Sequence, residues 1–308
     1  MNYITNDDFQ LKDSAVALGK FEGIHRGHCL LLDEIRQQKK NHLQSVVFTF
    51  NIPPRSALTG DRNYQQIFTK EERHIILEKM GMDVLIEYPF TKEFAALSPE
   101  DFIRNILVGK AGARVVVVGT DFRFGRKRSG SVKDLERLSG VLGYELIVKE
   151  KLQDHHEDIS SSRIRRLLET GSMEEVNSLL GRPYSITGSV VHGNALGRRI
   201  NIPTANLLAD PGKLIPPNGV YVSRVSIGED CYCGITNVGV KPTVDTSRIK
   251  GVETYLFDFD RDIYDEIIEV DLLHYCRPEM KFESVELLKA QMQKDISFGR
   301  HYLEGVKR

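Results

Sequence analysis

Two histidines stand three residues apart in the segment GKFEGIHRGH, with glycines on both sides of them. Gly19 and Gly23 allow the backbone to bend sharply and to approach a ligand closely. The helix predicted to begin near Gly27 presents N–H groups and a positive dipole end to an anion. His25 and His28 add donors that stabilise charge on a reacting phosphate. The segment therefore indicates a phosphate site; the alternative is a tight turn with two solvated histidines.

The segment ISSSRIR places cations where a helix disfavours them. One of its serines, Ser161 among them, is suited to cap the helical run that follows, and Arg163 and Arg165 lie in or beside its first turn. Cations at this end oppose the helix dipole, whereas a bound polyanion removes that penalty and suits the planar guanidinium. We interpret the segment as phosphate-binding, against the alternative of a solvated arginine pair.

A basic loop, DFRFGRKRSG, interleaves Phe122 and Phe124 with Arg123 and further cations, directly after Asp121. Aromatic and basic residues together are typical of single-stranded nucleic-acid binding. Because the cluster is one short loop in a chain of net charge −1, a flap over the phosphate of a small ligand is favoured. A solvated loop is the remaining alternative.

A second candidate site begins in HGNALGRRINIPTAN. Gly193 and Gly197 bracket a turn rich in hydrogen-bond donors, which suits phosphate binding. Thr204 and Asn206 stand two apart, so on an extended chain both point the same way and offer two oxygens to Mg²⁺. The pair is also common in ordinary turns, and alone it is a weak signal.

Glu253 is a carboxylate on an aromatic strand face. In VETYLFDF the alternation places it beside Tyr255, Phe257 and Phe259. A charge there is costly unless it is paired or used. We interpret Glu253 as a general base that takes a proton from a substrate hydroxyl; the alternatives are an edge position reaching water and a salt bridge.

These residues need elements to position them, and the first half of the chain alternates between apolar runs and helical patterns. Strands are predicted at 15–18, 46–50, 83–87, 115–119 and 145–149, with a capping box at Thr69 and Glu72 and a helix start at Ser98-Pro99. Such alternation predicts an α/β domain with a Rossmann-like parallel sheet and helices on both faces. Ligands bind beyond the carboxyl ends of such strands, where GKFEGIHRGH lies.

From residue 183 the pattern changes to period-2 runs between glycine and proline turns. Strands are predicted at 188–191, 219–225, 232–237, 252–260 and 267–274, and a closing helix at 284–303. The pattern indicates an antiparallel β-barrel. We expect two domains, 1–182 and 183–308, because Pro183 ends the preceding helix.

Composition excludes several other classes. A hydrophobic content of 41% with 28% charged residues is typical of a soluble globular protein. The near-zero net charge gives no general attraction to nucleic acid, and no apolar run is long enough for a membrane span. The N-terminus has no signal-peptide pattern. The four cysteines are too few for a disulfide framework, so we expect reduced thiols in a cytoplasmic protein.

The motif G-x-F-x-G-x-H-x-G-H resembles the signature of the nucleotidyltransferase superfamily. More narrowly, the chain resembles the bacterial bifunctional riboflavin kinase/FMN adenylyltransferase (FAD synthetase) family. Further segments match in order along essentially the whole chain: VVVVGTDFRFGRKRSG, ISSSRIR, LLGRPYSITGSVVHG, IPTANL and VETYLFDFDRDIY. The resemblance implies that the barrel phosphorylates riboflavin to FMN with ATP and Mg²⁺, and that the α/β domain adenylylates FMN to FAD.

The resemblance also implies roles for the candidate residues. It implies Glu253 as the kinase base, Thr204 and Asn206 as metal ligands, and His25 and His28 as catalytic groups of the adenylyl site. The implied binding residues fall into three sets: Gly19, Phe21, Gly27, Ser161 and Arg163 for ATP in the adenylyl site; Asp121, Phe122, Arg123 and Phe124 for the flavin or phosphate loop; His192, Gly193, Gly197, Arg198 and Pro203 for ATP in the kinase site.

The chain departs from the family pattern at the adenylyl site. Relatives usually have aspartate where this chain has Glu22, and a histidine in the loop after Phe50 that this chain lacks. Asn201 replaces a common glycine. One alternative is therefore a chain that retains only one activity, most simply the kinase with a weakened adenylyltransferase. A second is a nucleotide-binding regulator whose barrel binds RNA.

Overall fold

The structure is a computed structural model that describes residues 1–51, 64–193, 197, 202–240 and 250–306. The chain divides into two units by its internal packing. The first comprises Met1–Tyr64 and Phe68–Ser161, and the second comprises Gln65–Ile67 and Ser162–Arg308.

A six-stranded parallel sheet forms the centre of the first unit, in the order β1-β4-β3-β2-β5-β6. Its strands are β1 (Asn2–Ile4), β2 (Ser14–Leu18), β3 (Gln44–Phe50), β4 (Val84–Tyr88), β5 (Ala113–Gly119) and β6 (Glu145–Lys149). The predicted parallel sheet is confirmed. Strand β1 was not predicted, because three residues are too few to show a periodic pattern.

Helices cover both faces of this sheet, as predicted. They are α1 (Arg26–Gln37), α2 (Lys70–Lys79), α3 (Lys92–Ala95), α4 (Pro99–Asp101), which continues as a π-helical segment (Phe102–Lys110), and α5 (Val132–Leu142). Alternate residues of β2 point to opposite faces, so Ala17 joins the core on the α1 side with Leu32, while Val16 joins the other core with Leu107. A short hairpin, β7 (Gln153–Asp154) and β8 (Glu157–Asp158), follows β6.

Local capping signals fix two helix starts where the sequence predicts them. The Thr69 hydroxyl accepts from the Glu72 N–H at 3.2 Å, and Glu72 Oε2 accepts from the Thr69 N–H at 2.9 Å. Ser98 Oγ accepts from the Asp101 N–H at 3.1 Å, with Pro99 at the first helical position. These signals are short-range, which is why the sequence alone reveals them.

The second unit contains the closed antiparallel barrel that the sequence predicts, in the strand order β10-β13-β12-β11-β14-β9. Its elements are α6 (Ser161–Thr170, beginning at the last residue of the first unit), α7 (Met173–Leu180), β9 (Tyr184–Val191), β10 (Ala205–Leu208), β11 (Gly219–Ile227), β12 (Asp230–Val240), β13 (Lys250–Leu256), β14 (Ile267–Pro278) and α8 (Val285–Val306). Strand β13 ends at Leu256 rather than at the predicted 260, because Asp258 adopts a left-handed φ of 54° that turns the chain.

The two faces of the barrel strands are both buried, for different reasons. Val222 and Ile235 pack with Ile296 and Tyr302 of α8. On the opposite face the buried hydroxyl of Thr236 bonds to Ser223 at 2.7 Å and to Thr254 at 2.8 Å. The α8 face is the one that also carries Glu253, since Glu253 lies two residues before Tyr255 of the same cluster.

The cysteines and the helices bear on two expectations from composition. The four cysteines form no disulfide. Among the described residues, no helix is both long enough and apolar enough to cross a membrane.

Candidate functional site

The glycine–histidine loop lies at the carboxyl end of β2, between Leu18 and the start of α1. Phe21 and Ile24 adopt left-handed φ angles of 46° and 39°, and their side chains are buried. A Cβ on Gly19 would stand 3.0 Å from the Phe21 ring, so any larger residue there would have to displace the ring slightly. The loop is therefore a tightly constrained connection at the ligand-binding edge of the sheet.

The two histidines of this loop are stacked at the amino end of α1. Their ring centroids are 3.7 Å apart with an interplanar angle of 20°. His25 is the N-cap of α1, and its Nδ1 accepts from the His28 N–H at 3.3 Å. Because Nδ1 accepts, a neutral His25 ring carries its proton on Nε2, which is then a donor. A helix start with two such rings is suited to bind an anion.

Two neighbours complete the loop's packing. The Phe21 ring lies 5.1 Å from the His28 ring. A Cβ on Gly27 would lie 3.2 Å from His25 Nδ1 and 3.9 Å from the Ile159 carbonyl oxygen. The chain that leads to Ser161 therefore passes directly beside the start of α1.

Helix α6 opens at Ser161, which belongs to the first unit, while Arg163 belongs to the second. Arg163 is buried, with 7% of its surface exposed. Arg165 donates to the backbone carbonyl of Gln65. The two arginines therefore differ: Arg163 is a buried cation in the first turn of a helix, and Arg165 holds a neighbouring chain segment.

In the basic loop after β5, the aromatic side chains and the charged side chains lie in different environments. Phe124 is buried against Phe102, with ring centroids 5.3 Å apart, and Phe122 stacks on Phe124 at 5.5 Å. Asp121 pairs with Lys151 at 3.1 Å, and Arg123 is exposed. The phenylalanines thus anchor the loop to the core, and the cations are what it presents to solvent.

Tyr64 is a residue of the first site that sequence reasoning missed. Its hydroxyl donates to Glu22 Oε2 at 2.8 Å, although 42 positions separate the two residues. The Thr49 hydroxyl, on β3, donates to the Lys20 carbonyl of the glycine–histidine loop at 3.0 Å. The sequence singled out Glu22 only as a departure from the family pattern, and no local pattern indicates its partner. The loop that follows Phe50, where the missing histidine was noted, lies outside the described residues at 52–63.

In the second unit, Thr204 and Asn206 are adjacent in space. Asn206 Nδ2 donates to the Thr204 carbonyl at 3.1 Å and approaches the Thr204 hydroxyl at 3.4 Å. A Cβ on Gly193 would stand 2.7 Å from the Asn206 amide group, so the glycine allows the chain to pass against it. The hydroxyl, carbonyl and amide are thus gathered at one point.

Glu253 lies in register with this group. On β13 it pairs with Asn206 of β10 on one side and with Asn237 of β12 on the other. Directly opposed residues of antiparallel strands share a face, so the carboxylate stands between two amides. Asn237 was also missed, because its proximity to Glu253 depends on strand register.

A cavity of about 250 Å³ adjoins Thr204. Its lining includes Pro203, Phe259, Asp262 and Tyr264. The His192 ring packs on Tyr264 with centroids 3.8 Å apart.

The turn before Pro203 is described at one position. A Cβ on Gly197 would stand 2.4 Å from the Ile202 carbonyl oxygen, and the Ile202 N–H donates to the Gly197 carbonyl at 2.8 Å. The close approach of the two backbone segments therefore requires glycine there. Arg198 and Asn201 lie outside the described residues.

Comparisons with known proteins cover both units. The FAD synthetase family model matches residues 8–163, and the riboflavin kinase family model matches residues 180–303. The chain is 35% identical to the bifunctional riboflavin kinase/FMN adenylyltransferase of Listeria monocytogenes serovar 1/2a, over 95% of this chain and 93% of the relative. It is 33% identical to the protein of the same name from Bacillus subtilis, over 99% of both chains.

A solved structure matches over nearly the same length. The crystal structure of a protein described as a macrolide-efflux protein from Streptococcus pneumoniae aligns with a TM-score of 0.86 and 33% identity. The alignment covers 96% of this chain and 97% of that chain. The two-unit architecture is therefore shared with an experimentally determined structure.

Proposed function

The chain belongs to the bifunctional riboflavin kinase/FMN adenylyltransferase family, and from this premise we propose how its residues carry out the two reactions. The chain phosphorylates riboflavin to FMN with ATP, and then adenylylates FMN with a second ATP to give FAD and pyrophosphate. The supporting observation is that His25 and His28 lie in the first unit, whereas Thr204, Asn206 and Glu253 lie in the second. A single-activity enzyme or an RNA regulator is not favoured, since both family models match.

In the kinase reaction Glu253 acts as the general base. It accepts the proton of the ribityl 5′-hydroxyl, whose oxygen then attacks the γ-phosphorus of ATP while the bond to the β–γ bridging oxygen breaks. The partly buried carboxylate, aligned with Asn206 and Asn237, is placed to orient that hydroxyl. His192, Gly193, Gly197, Arg198 and Pro203 are proposed to hold the nucleotide.

Thr204 and Asn206 are the residues that fit Mg²⁺. The Thr204 hydroxyl lies 3.4 Å from the Asn206 amide nitrogen, so a turn of the amide about its last torsion would place its oxygen beside the hydroxyl, and oxygen is the ligand type that Mg²⁺ prefers. No group of three or more His, Cys, Asp or Glu suited to a metal occurs among the described residues. Thr204 and Asn206 would hold a Mg²⁺ ion through few protein ligands. When bound, the ion neutralises charge on the transferring phosphate.

In the adenylyl reaction His25 and His28 stabilise charge on the α-phosphate of ATP. A phosphate oxygen of FMN attacks the α-phosphorus, and the bond to the α–β bridging oxygen breaks to release pyrophosphate. The protein contributes positioning and charge stabilisation. Gly19, Phe21 and Gly27 shape the loop, Ser161 and Arg163 bind phosphates, and the loop from Asp121 to Phe124 with Arg123 covers the flavin or its phosphate.

Further proposals concern the chain as a whole. The functional boundary is proposed at 182/183, near the start of the riboflavin kinase match at residue 180; the FAD synthetase match ends at residue 163. Localisation in the cytoplasm agrees with the expected reduced thiols, and no nucleic-acid partner is expected at a net charge of −1.

Two substitutions test the assignment of sites. Glu253→Gln should abolish FMN formation from riboflavin and retain FAD formation from supplied FMN. His28→Ala should do the reverse. Chromatographic separation of FMN and FAD measures both reactions, and one substitution that abolished both would contradict separate sites.

A further inference from the structure

The loop that carries the adenylyl histidines holds two non-glycine residues in the left-handed region. Phe21 and Ile24 have φ angles of 46° and 39°. Such conformations cost energy for residues with a Cβ and persist only when surrounding contacts enforce them. Their side chains are anchored in the core at 1% and 0% exposure. The loop can keep a single conformation only if the segment between them, Glu22-Gly23, is also held by contacts.

A long-range hydrogen bond is one of the contacts that hold Glu22 in place. Glu22 is 8% exposed, and its Oε2 accepts a hydrogen bond of 2.8 Å from the Tyr64 hydroxyl. Hydrogen bonds to an ionised group are stronger than neutral ones, and a buried acceptor that loses its donor keeps its desolvation cost. The hydrogen bond therefore stabilises the loop conformation more than a solvent-exposed hydrogen bond would.

We infer that Tyr64 is a positioning residue of the adenylyl reaction. Its hydroxyl fixes Glu22, which lies three residues before His25, the N-cap of α1. Because His25 also stacks on His28, a shift of the loop displaces both imidazoles together. The inference rests on the proposed role of these histidines.

The length of the glutamate side chain bears on this contact. An aspartate carboxylate at the same position, shorter by one methylene, would lie farther from the Tyr64 hydroxyl on the same backbone.

The test uses Tyr64→Phe, which removes the hydroxyl and keeps the ring. We expect kcat for FAD formation from supplied FMN to fall about tenfold or more, as for loss of a hydrogen bond to a charged group. The KM values for ATP and FMN should change less, because the histidines act on the reacting phosphate. FMN formation from riboflavin by the same preparation should not change.

Two controls separate positioning from loss of stability. Tyr144→Phe removes the buried hydroxyl of a second tyrosine in the same unit, bonded to the Leu135 carbonyl, and should lower the unfolding temperature without affecting FAD formation. In a Glu22→Gln background, Tyr64→Phe should have little further effect, because the charged acceptor is already lost.

The inference is overturned if Tyr64→Phe leaves kcat for FAD formation unchanged. It is equally overturned if Tyr144→Phe reduces kcat as much, or if the effects of Tyr64→Phe and Glu22→Gln are fully additive. Failure of the proposed function has a different signature: either the parent enzyme makes no FAD from FMN, or His28→Ala makes FAD at the parent rate.

Discussion

His25 combines two tasks in one ring. Its Nδ1 accepts the His28 N–H and so caps α1, which leaves Nε2 as the proton-bearing nitrogen that can donate to a phosphate. The capping bond fixes the ring plane, and the stacking on His28 fixes its neighbour. In the proposed mechanism His25 is both the cap of α1 and a catalytic group, so the bond that starts the helix also positions a reactive side chain.

Asparagine and alanine at this position separate the two tasks. Asparagine is a good N-cap, so His25→Asn should keep the free energy of unfolding near that of the parent, whereas His25→Ala should lower it by about 1 kcal/mol. Both should lose FAD formation, because both lack the imidazole. Denaturant unfolding and the FAD assay measure the two properties; an active His25→Asn enzyme would show that the ring serves only as a cap.

Gly193 provides a matching test in the kinase unit. A Cβ there stands 2.7 Å from the Asn206 amide, which must move by several tenths of an ångström. Gly193→Ala should therefore reduce FMN formation by roughly tenfold, since small misplacements of positioning groups are costly. Gly305→Ala is the control, because nothing lies within 4 Å of its Cβ position. Equal rates of FMN formation in the two variants would contradict a role for Gly193 and Asn206 in the kinase site.

At the scale of elements, α2 and β4 meet around a buried carboxylate. Glu87 of β4 is fully buried and accepts from Arg73 at 2.9 Å, with Lys70 at 3.3 Å and the Tyr3 hydroxyl also bonded to it. His74 Nε2 lies 3.6 Å from the same carboxylate. Burial lowers the pKa of His74 below its usual 6.5, against an opposing effect of Glu87.

The lowered pKa of His74 predicts the direction in which stability changes with pH. Between its folded and unfolded pKa values the unfolded state binds more protons, so stability is full above pH 6.5 and falls as the pH drops toward the folded pKa. Lowering the pH from about 7.5 to 5 should thus reduce the unfolding temperature of the parent more than that of His74→Gln. A larger drop in the unfolding temperature of His74→Gln than of the parent would contradict a lowered pKa of His74 in the folded state.

The elements also show what sequence patterns convey. The caps at Thr69 and Ser98 were predictable because each depends on residues three apart. The sheet and barrel followed from periodicity and from the spacing of turns. The end of β13 at Leu256 could not be predicted in this way. The apolar alternation continues through Phe257 and Phe259, whereas Asp258 turns the backbone.

At the scale of the whole molecule, the order of motifs along the chain predicts two catalytic halves, and the family matches agree. Contacts between distant positions were not predictable in the same way. The Tyr64 hydroxyl donates to Glu22, a residue 42 positions away in the sequence. Asn237 lies opposite Glu253 only because β12 and β13 pair in one particular register. Each depends on tertiary arrangement that single-chain patterns do not encode.

The central claim is that one chain makes both flavin nucleotides, and a time course with purified protein, riboflavin and Mg-ATP tests it most directly. FMN should appear first and FAD should follow at the expense of FMN, with pyrophosphate released in step with FAD. Supplying FMN in place of riboflavin should give FAD without the initial phase. A preparation that forms FMN but no FAD from either substrate, or neither product, would contradict the claim.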